Sequence, residues 1–151
     1  MPSNAYIIKW DPELSVGIPW IDEQHKNLLK HVENLLNAVL ARESVGKIDE
    51  TLHFLIDYVR THFATEERYM SKYNYPGFGA HKAKHDEFRT KMRTFAGHYA
   101  SKGGSEEFGM AIEKEIWEWY KNHVAKTDQF FGQFLREEGH VEPDEDILDL
   151  S

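Results

Sequence analysis

The chain has 151 residues, of which 40% are apolar, 29% charged and 13% aromatic, enough for one buried core and too aromatic for extended disorder. A formal net charge of −8 argues against nucleic-acid binding and against anionic membrane surfaces. The absence of cysteine excludes disulfides, thiolate metal sites and iron–sulfur clusters.

Residues 1–20, interrupted by Pro12, Gly17 and Pro19, read as an irregular N-terminal arm. Its start, "MPSNAYIIKW", has no basic segment followed by an apolar run, so no secretory signal is expected. No later stretch is long and apolar enough for a membrane helix, and a cytoplasmic location fits the cysteine-free composition. Four helical patterns follow, near 21–41, 48–72, 79–100 and 106–137. Gly46, the turn "YNYPGFG" at 73–79, the segment "ASKGGS" at 100–105, and Gly139 with Pro143 separate or end them. Residues 138–151 read as a solvated acidic tail. Four helices joined by short connections predict an all-α, up-down-up-down four-helix bundle in a single domain, 1–151, whose bundle proper is 21–137.

Each pattern carries an apolar stripe: Ile21, Leu28, Leu29, Val32, Leu36 and Val39 on the first; Leu55, Tyr58, Val59, Tyr69 and Tyr73 on the second; Phe88, Met92 and Phe95 on the third; Ile112, Ile116, Trp119, Phe130 and Phe134 on the fourth. Histidines interrupt these stripes. In "HKAKH", His81 and His85 share the face of Phe88 and Met92, while Lys82 and Lys84 project to either side. His25, His62 and His123 likewise fall on the stripes of the other three helices. Glu66 lies four residues after His62 and joins that inward face; Glu67, about 100° further round, is expected to be solvated. Asp128 follows His123 by five residues, which a regular α-helix turns away by about 140°. A π-bulge between them would restore a common face.

A lone buried histidine is usually a hydrogen-bonded core residue, and His31, His53, His98 and His140 take that reading or a surface one. Five convergent imidazoles and two acids are different, because burying them without a shared partner would be very costly. Seven such donors exceed one metal and suit two. If Glu66 and Asp128 bridge and the histidines divide three and two, a bridging oxide or hydroxide leaves one metal closed and the other with a vacancy. An all-nitrogen-and-oxygen shell suits iron or manganese better than tetrahedral zinc. Its richness in histidine favours binding oxygen over activating it, and no further catalytic acid or base is evident.

The motifs "VGIPWIDEQHKNLL", "HFATEE", "HKAKH" and "HVAKTD", spread over about residues 6–137, resemble the hemerythrin family, specifically its single-domain bacterial members. The resemblance implies a non-haem di-iron centre with a bridging oxo or hydroxo group. It implies that His81, His85 and His123 hold the closed iron, that His25 and His62 hold the open one, and that Glu66 and Asp128 bridge. It further implies reversible, end-on binding of molecular oxygen at the open iron. An apolar oxygen pocket is expected, and by position Leu28, Phe63, Trp119 and Val124 fit it; Tyr120 and Thr127 fall on the same wall, where the family is often aliphatic. The implied role is oxygen transport, storage or delivery by a non-enzymatic protein, with an oxygen-consuming enzyme as recipient and a monomer as the expected state. The alternatives are a sensor of oxygen, nitric oxide or redox state acting through a partner, a di-iron oxidase or peroxidase, a two-metal hydrolase, or an iron store.

Overall fold

Pro19 opens the first long helix, where its fixed backbone angle suits the first helical position. In the computed structural model, which describes residues 9–102 and 106–143, helix α1 runs Pro19–Leu40, α2 Val45–Lys72 and α3 Phe78–Lys102. The fourth helix, α4, covers 106–137. It is built from α-helical segments Glu106–Ala111, Glu118–Asn122 and Asp128–Glu137, with π-helical stretches Ile112–Trp117 and His123–Thr127 between them. No strand occurs among the described residues. The expected four-helix bundle is observed: α1 packs against α2 and α4, and α3 against α2 and α4. No helix among the described residues is long and apolar enough to cross a membrane. Residues 1–8 of the expected arm and 144–151 of the expected acidic tail lie outside the described residues.

Three helices end alike. Arg42, Asn74 and Gly139 have φ of 52°, 55° and 77°, and the next residue's N–H bonds back to Ala38, Met70 and Leu135 at 3.1, 2.9 and 2.8 Å. This left-handed closure satisfies carbonyls that a helix end leaves free. It relocates one expected break. The first helix stops because of Arg42, while Gly46 lies inside α2, which Ser44 caps by accepting from the Lys47 N–H at 3.2 Å. Pro19 likewise moves from the arm into α1.

The arm is not loose over its described part. Asp11 caps a short 3₁₀ turn, Pro12–Leu14, through the Glu13 N–H at 2.8 Å. Asp22 then accepts from Ser15 Oγ at 2.5 Å and from the Val16 N–H at 2.8 Å. Gln129 donates to the Ser15 carbonyl at 2.7 Å, and Arg136 donates to that of Val16. Leu14, Val16 and Ile18 are buried as a result. Gly132 makes the close approach possible: a Cβ there would sit 2.5 Å from the Val16 carbonyl oxygen.

The α1 and α3 stripes are buried as expected; on α2, Leu55, Val59 and Tyr69 are buried and Tyr58 and Tyr73 half-buried. On α4 the stripe departs from expectation from Trp119 onward, which is half-buried while Tyr120 beside it is 1% exposed. Phe130 is 66% exposed and Phe134 half-buried, whereas Phe131 and Leu135 are fully buried. The shift follows the π-helical stretch Ile112–Trp117. Its extra residue advances the phase of everything downstream by one position.

Candidate metal centre

Four helices each place histidine on the buried face. His25 comes from α1, His62 with Glu66 from α2, His81 with His85 from α3, and His123 with Asp128 from α4; all seven are at most 5% exposed. The i, i+4 spacings put His62 beside Glu66 and His81 beside His85. The wider turn of the π-helical stretch, as expected, brings Asp128 Oδ1 to 3.1 Å from His123 Nε2.

Each carboxylate faces two groups of imidazoles. Glu66 Oε1 lies 3.4 Å from His81 Nε2 and 3.1 Å from His85 Nε2, while Oε2 lies 3.5 Å from His25 and 3.2 Å from His62. Asp128 Oδ1 lies 2.9 Å from His81 Nε2, while Oδ2 lies 3.1 Å from His25 Nε2. The donor atoms of Glu66, His81, His85, His123 and Asp128 all fall within 4.8 Å of one another, and so do those of His25, His62 and Glu66. Yet Nε2 of His25, His81, His85 and His123, and all four carboxylate oxygens, have no hydrogen-bond partner. So many buried, unsatisfied polar atoms aimed at one point are untenable unless something shared satisfies them. Metal cations do so, and these nitrogen and oxygen donors fit iron.

Electrostatics point the same way. Burial opposes charge on His25 and His81, but Asp128 and Glu66 outweigh it and raise them to about 10 and about 9. His85 also rises against burial, through Glu66 and Glu67. Burial prevails at His123, which is lowered. Burial would raise Glu66, but His62 and its other facing imidazoles hold it well below the usual carboxylate range. Asp128 is held low by His123 and His25 against burial and Glu66. Positive charge thus stabilises this pocket whether protons or metals carry it.

Two residues beside the ligand candidates contact them, and one revises an expectation. Glu67 is not solvated: it is half-buried, lies 2.7 Å from His85 Nδ1, and meets Arg89 at 2.9 Å. Gln24 is 7% exposed, with its side-chain oxygen 2.7 Å from His62 Nδ1. Both lie one residue from an inward ligand candidate, in "DEQH" and "ATEE", and that adjacency is the signal the sequence offers for them.

An apolar wall adjoins the cluster. Phe63 stacks on His85 with 3.8 Å between ring centroids, and Trp119 stacks on His123 at 4.4 Å. Leu28, Phe63 and Val124 are buried; Trp119 and Thr127 are half-buried. Tyr120, 1% exposed, donates its hydroxyl to the His25 carbonyl at 2.8 Å, and Tyr58 donates to that of Gln24 at 3.0 Å. Two tyrosines from α4 and α2 thereby fix α1 at the turn that carries His25. The remaining histidines stand apart: His53 is exposed, and His31, His98 and His140 are half-buried against Tyr58, Phe108 and Tyr73.

Comparison with known proteins agrees with this geometry. Residues 16–147 match the family model described as the hemerythrin HHE cation-binding domain. A bacteriohemerythrin from Methylococcus capsulatus is 32% identical, over 82% of this chain and 92% of its own length. One from Stenotrophomonas maltophilia is 28% identical, over 86% and 82%. A crystal structure of wild-type hemerythrin superposes with a TM-score of 0.74 at 27% identity, covering 85% of this chain and 97% of its own. A leucine-to-alanine mutant of hemerythrin gives 0.74 at 28% identity, over 84% and 95%. The chain belongs to the hemerythrin family, non-enzymatic proteins that bind oxygen through non-haem iron.

Proposed function

We propose that this protein binds molecular oxygen reversibly at a pair of iron ions joined by an oxo or hydroxo bridge, for transport, storage or delivery. The observation that carries the reading is the convergence of unsatisfied imidazole nitrogens and carboxylate oxygens on one buried point. His81, His85 and His123 would hold one iron and His25 and His62 the other. Glu66 and Asp128 would bridge, since each directs one oxygen toward each set of imidazoles. The shell on one ion is then one imidazole short of the other, leaving room for a small ligand. Iron held by these residues would supply the reversible redox chemistry that oxygen binding needs.

The chain's own residues protect that exchange. Leu28, Phe63, Trp119 and Val124 present hydrocarbon where water would otherwise enter, and water exclusion prevents side reactions. Tyr120 sits on the same wall, but its hydroxyl is committed to the His25 carbonyl, so it acts as a clamp. Thr127, half-buried in the π-helical stretch, completes the proposed pocket.

The proposed recipient is an oxygen-consuming enzyme, and the proposed location is the cytoplasm, whose reducing conditions suit a cysteine-free chain. A monomer is proposed as the working state of one domain spanning 1–151. Among the described residues the exposed large apolar side chains, Val45, Phe54, Met110 and Phe130, are spaced singly along α2 and α4. Scattered residues of this kind do not make an interface.

The test is an oxygen cycle followed by visible spectroscopy. Iron-loaded protein is reduced without oxygen, exposed to oxygen, then degassed. A charge-transfer band that appears and then vanishes is the expected result. Direct conversion to an inert ferric form would refute the carrier reading and favour a sensor or oxidase.

A further inference from the structure

The five imidazoles are backed unequally. Nδ1 of His25, His81 and His123 has no hydrogen-bond partner. His62 and His85 have one each, at the same 2.7 Å, but the partners differ in charge: Gln24 offers a neutral amide oxygen, Glu67 a carboxylate. In both rings Nε2 faces the centre, so the outward Nδ1–H is the donor. Glu67 is held in place by Arg89 at 2.9 Å, and Arg89 also bonds Asp86 at 2.8 Å. The Arg89 guanidinium lies 5.3 Å from the centre of Phe63, whose ring stacks on His85. His85 is thus fixed on one edge by a carboxylate and on one face by an aromatic ring.

Charge at that edge reaches the metal. A carboxylate draws the Nδ1 proton toward itself and leaves more electron density on Nε2, raising the basicity of the ligand; a neutral amide does so far less. A more basic ligand stabilises ferric iron over ferrous. We propose that Glu67 and Gln24 make the two irons electronically unequal, so that the ion held by His85 is oxidised first and the ion held by His62 stays ferrous longer. The inference rests on the two-iron reading above. Each oxidation removes one electron from one ion, passed to oxygen in function and to an electrode in the test. Both residues are positioning residues, touching a ligand and not the metal.

The full-length chain, loaded with iron without oxygen, is compared with its Glu67→Gln and Gln24→Glu variants. Iron content per chain is measured first, then a mediated potentiometric titration is followed by electron paramagnetic resonance. Two irons and two separated one-electron steps are expected in the parent. Glu67→Gln should raise the potential of the first step, and Gln24→Glu should lower that of the second, so each narrows the gap. A purely structural role for Glu67 would be rescued by glutamine, which accepts the same hydrogen bond, and the gap would not move. Two irons per chain with an unchanged gap in the variants overturns this inference and leaves the two-iron reading standing. Fewer than two irons in the parent overturns both. Should Glu67→Gln fail to load, Gln24→Glu decides: an unchanged gap there overturns the inference.

Discussion

Without metal, His25 and His81 face Glu66 and Asp128 as imidazolium groups, and this gives the stripped protein a distinctive pH dependence. Their pKa values, about 10 and about 9, lie above the ordinary imidazole value of 6.5. Their stabilising contribution is therefore complete below about pH 6.5 and disappears as pH rises through 9 to 10. Glu66 and Asp128 are depressed, so their contribution is present above the ordinary carboxylate range and lost as pH falls below it. His123 is lowered by burial, so its contribution falls as pH drops below 6.5, and stripped protein should melt at its highest temperature near pH 6.5. Metal must displace those protons, so loading should strengthen from about pH 6 to 9 with measurable proton release. A melting temperature independent of pH across that range would contradict the coupling. The residue scale is also where angular reasoning from sequence misleads. Glu67 is one position from Glu66 and its helical angle points to solvent, yet its side chain reaches round to His85. A helical wheel records the direction of Cβ but not the length and bend of the side chain.

Two π-helical stretches, Ile112–Trp117 and His123–Thr127, shape the buried face of α4. The buried register runs through Ile112 and Ile116, then shifts by one position to Tyr120, Phe131 and Leu135, with Asp128 buried beside them. Phe131→Ala should therefore cost about 3–5 kcal/mol in denaturant unfolding, whereas Phe130→Ala should stay within about 0.5 kcal/mol. The opposite ranking would mean a regular helix from Ile112 onward. One residue further, Gly132 carries the contact with the arm. An alanine methyl would meet the Val16 carbonyl oxygen at 2.5 Å and Val16 Cβ at 2.9 Å, and backbone cannot step aside cheaply. Gly132→Ala should destabilise by about 1–3 kcal/mol and free the arm to proteolysis near Val16. Unchanged stability and unchanged cleavage would show that the arm is not seated there. The second bulge is legible in the sequence because the spacing of His123 and Asp128 requires it. The stripe after Ile116 is not, because Trp119, Phe130 and Phe134 continue the regular phase, and the π-helical stretch Ile112–Trp117, which no ligand spacing announces, turns Tyr120, Phe131 and Leu135 inward.

At the scale of the molecule, the proposed ligands tie all four helices together, since each contributes at least one histidine. Metal bound to the folded state alone stabilises it by mass action, by about 4 kcal/mol at a thousandfold excess over Kd. Chelating the iron should therefore lower the melting temperature by several degrees, and restoring ferrous iron without oxygen should recover it. Equal melting temperatures for loaded and stripped protein would place the metal outside the bundle. Stripping should not abolish the fold, because an apolar core including Leu35, Leu36, Leu52, Leu55 and Phe108 is buried independently of the cluster.

Helix periodicity and the spacing of chemically distinctive residues are local properties, and from them alone the chain determined its four helices, the inward faces of α1 and α3 and most of that of α2, and the seven residues that meet at the centre. Fourfold convergence of histidine on apolar stripes leaves few other arrangements for such expensive side chains. What required the tertiary structure was everything that depends on which residues from different helices touch: Gln24 behind His62, Glu67 and Arg89 behind His85, Tyr120 and Tyr58 on the carbonyls of α1, and Val16 against Gly132. Those pairings are separated by up to 116 positions in the chain, and no periodicity within one helix carries information about its neighbour's depth or rotation.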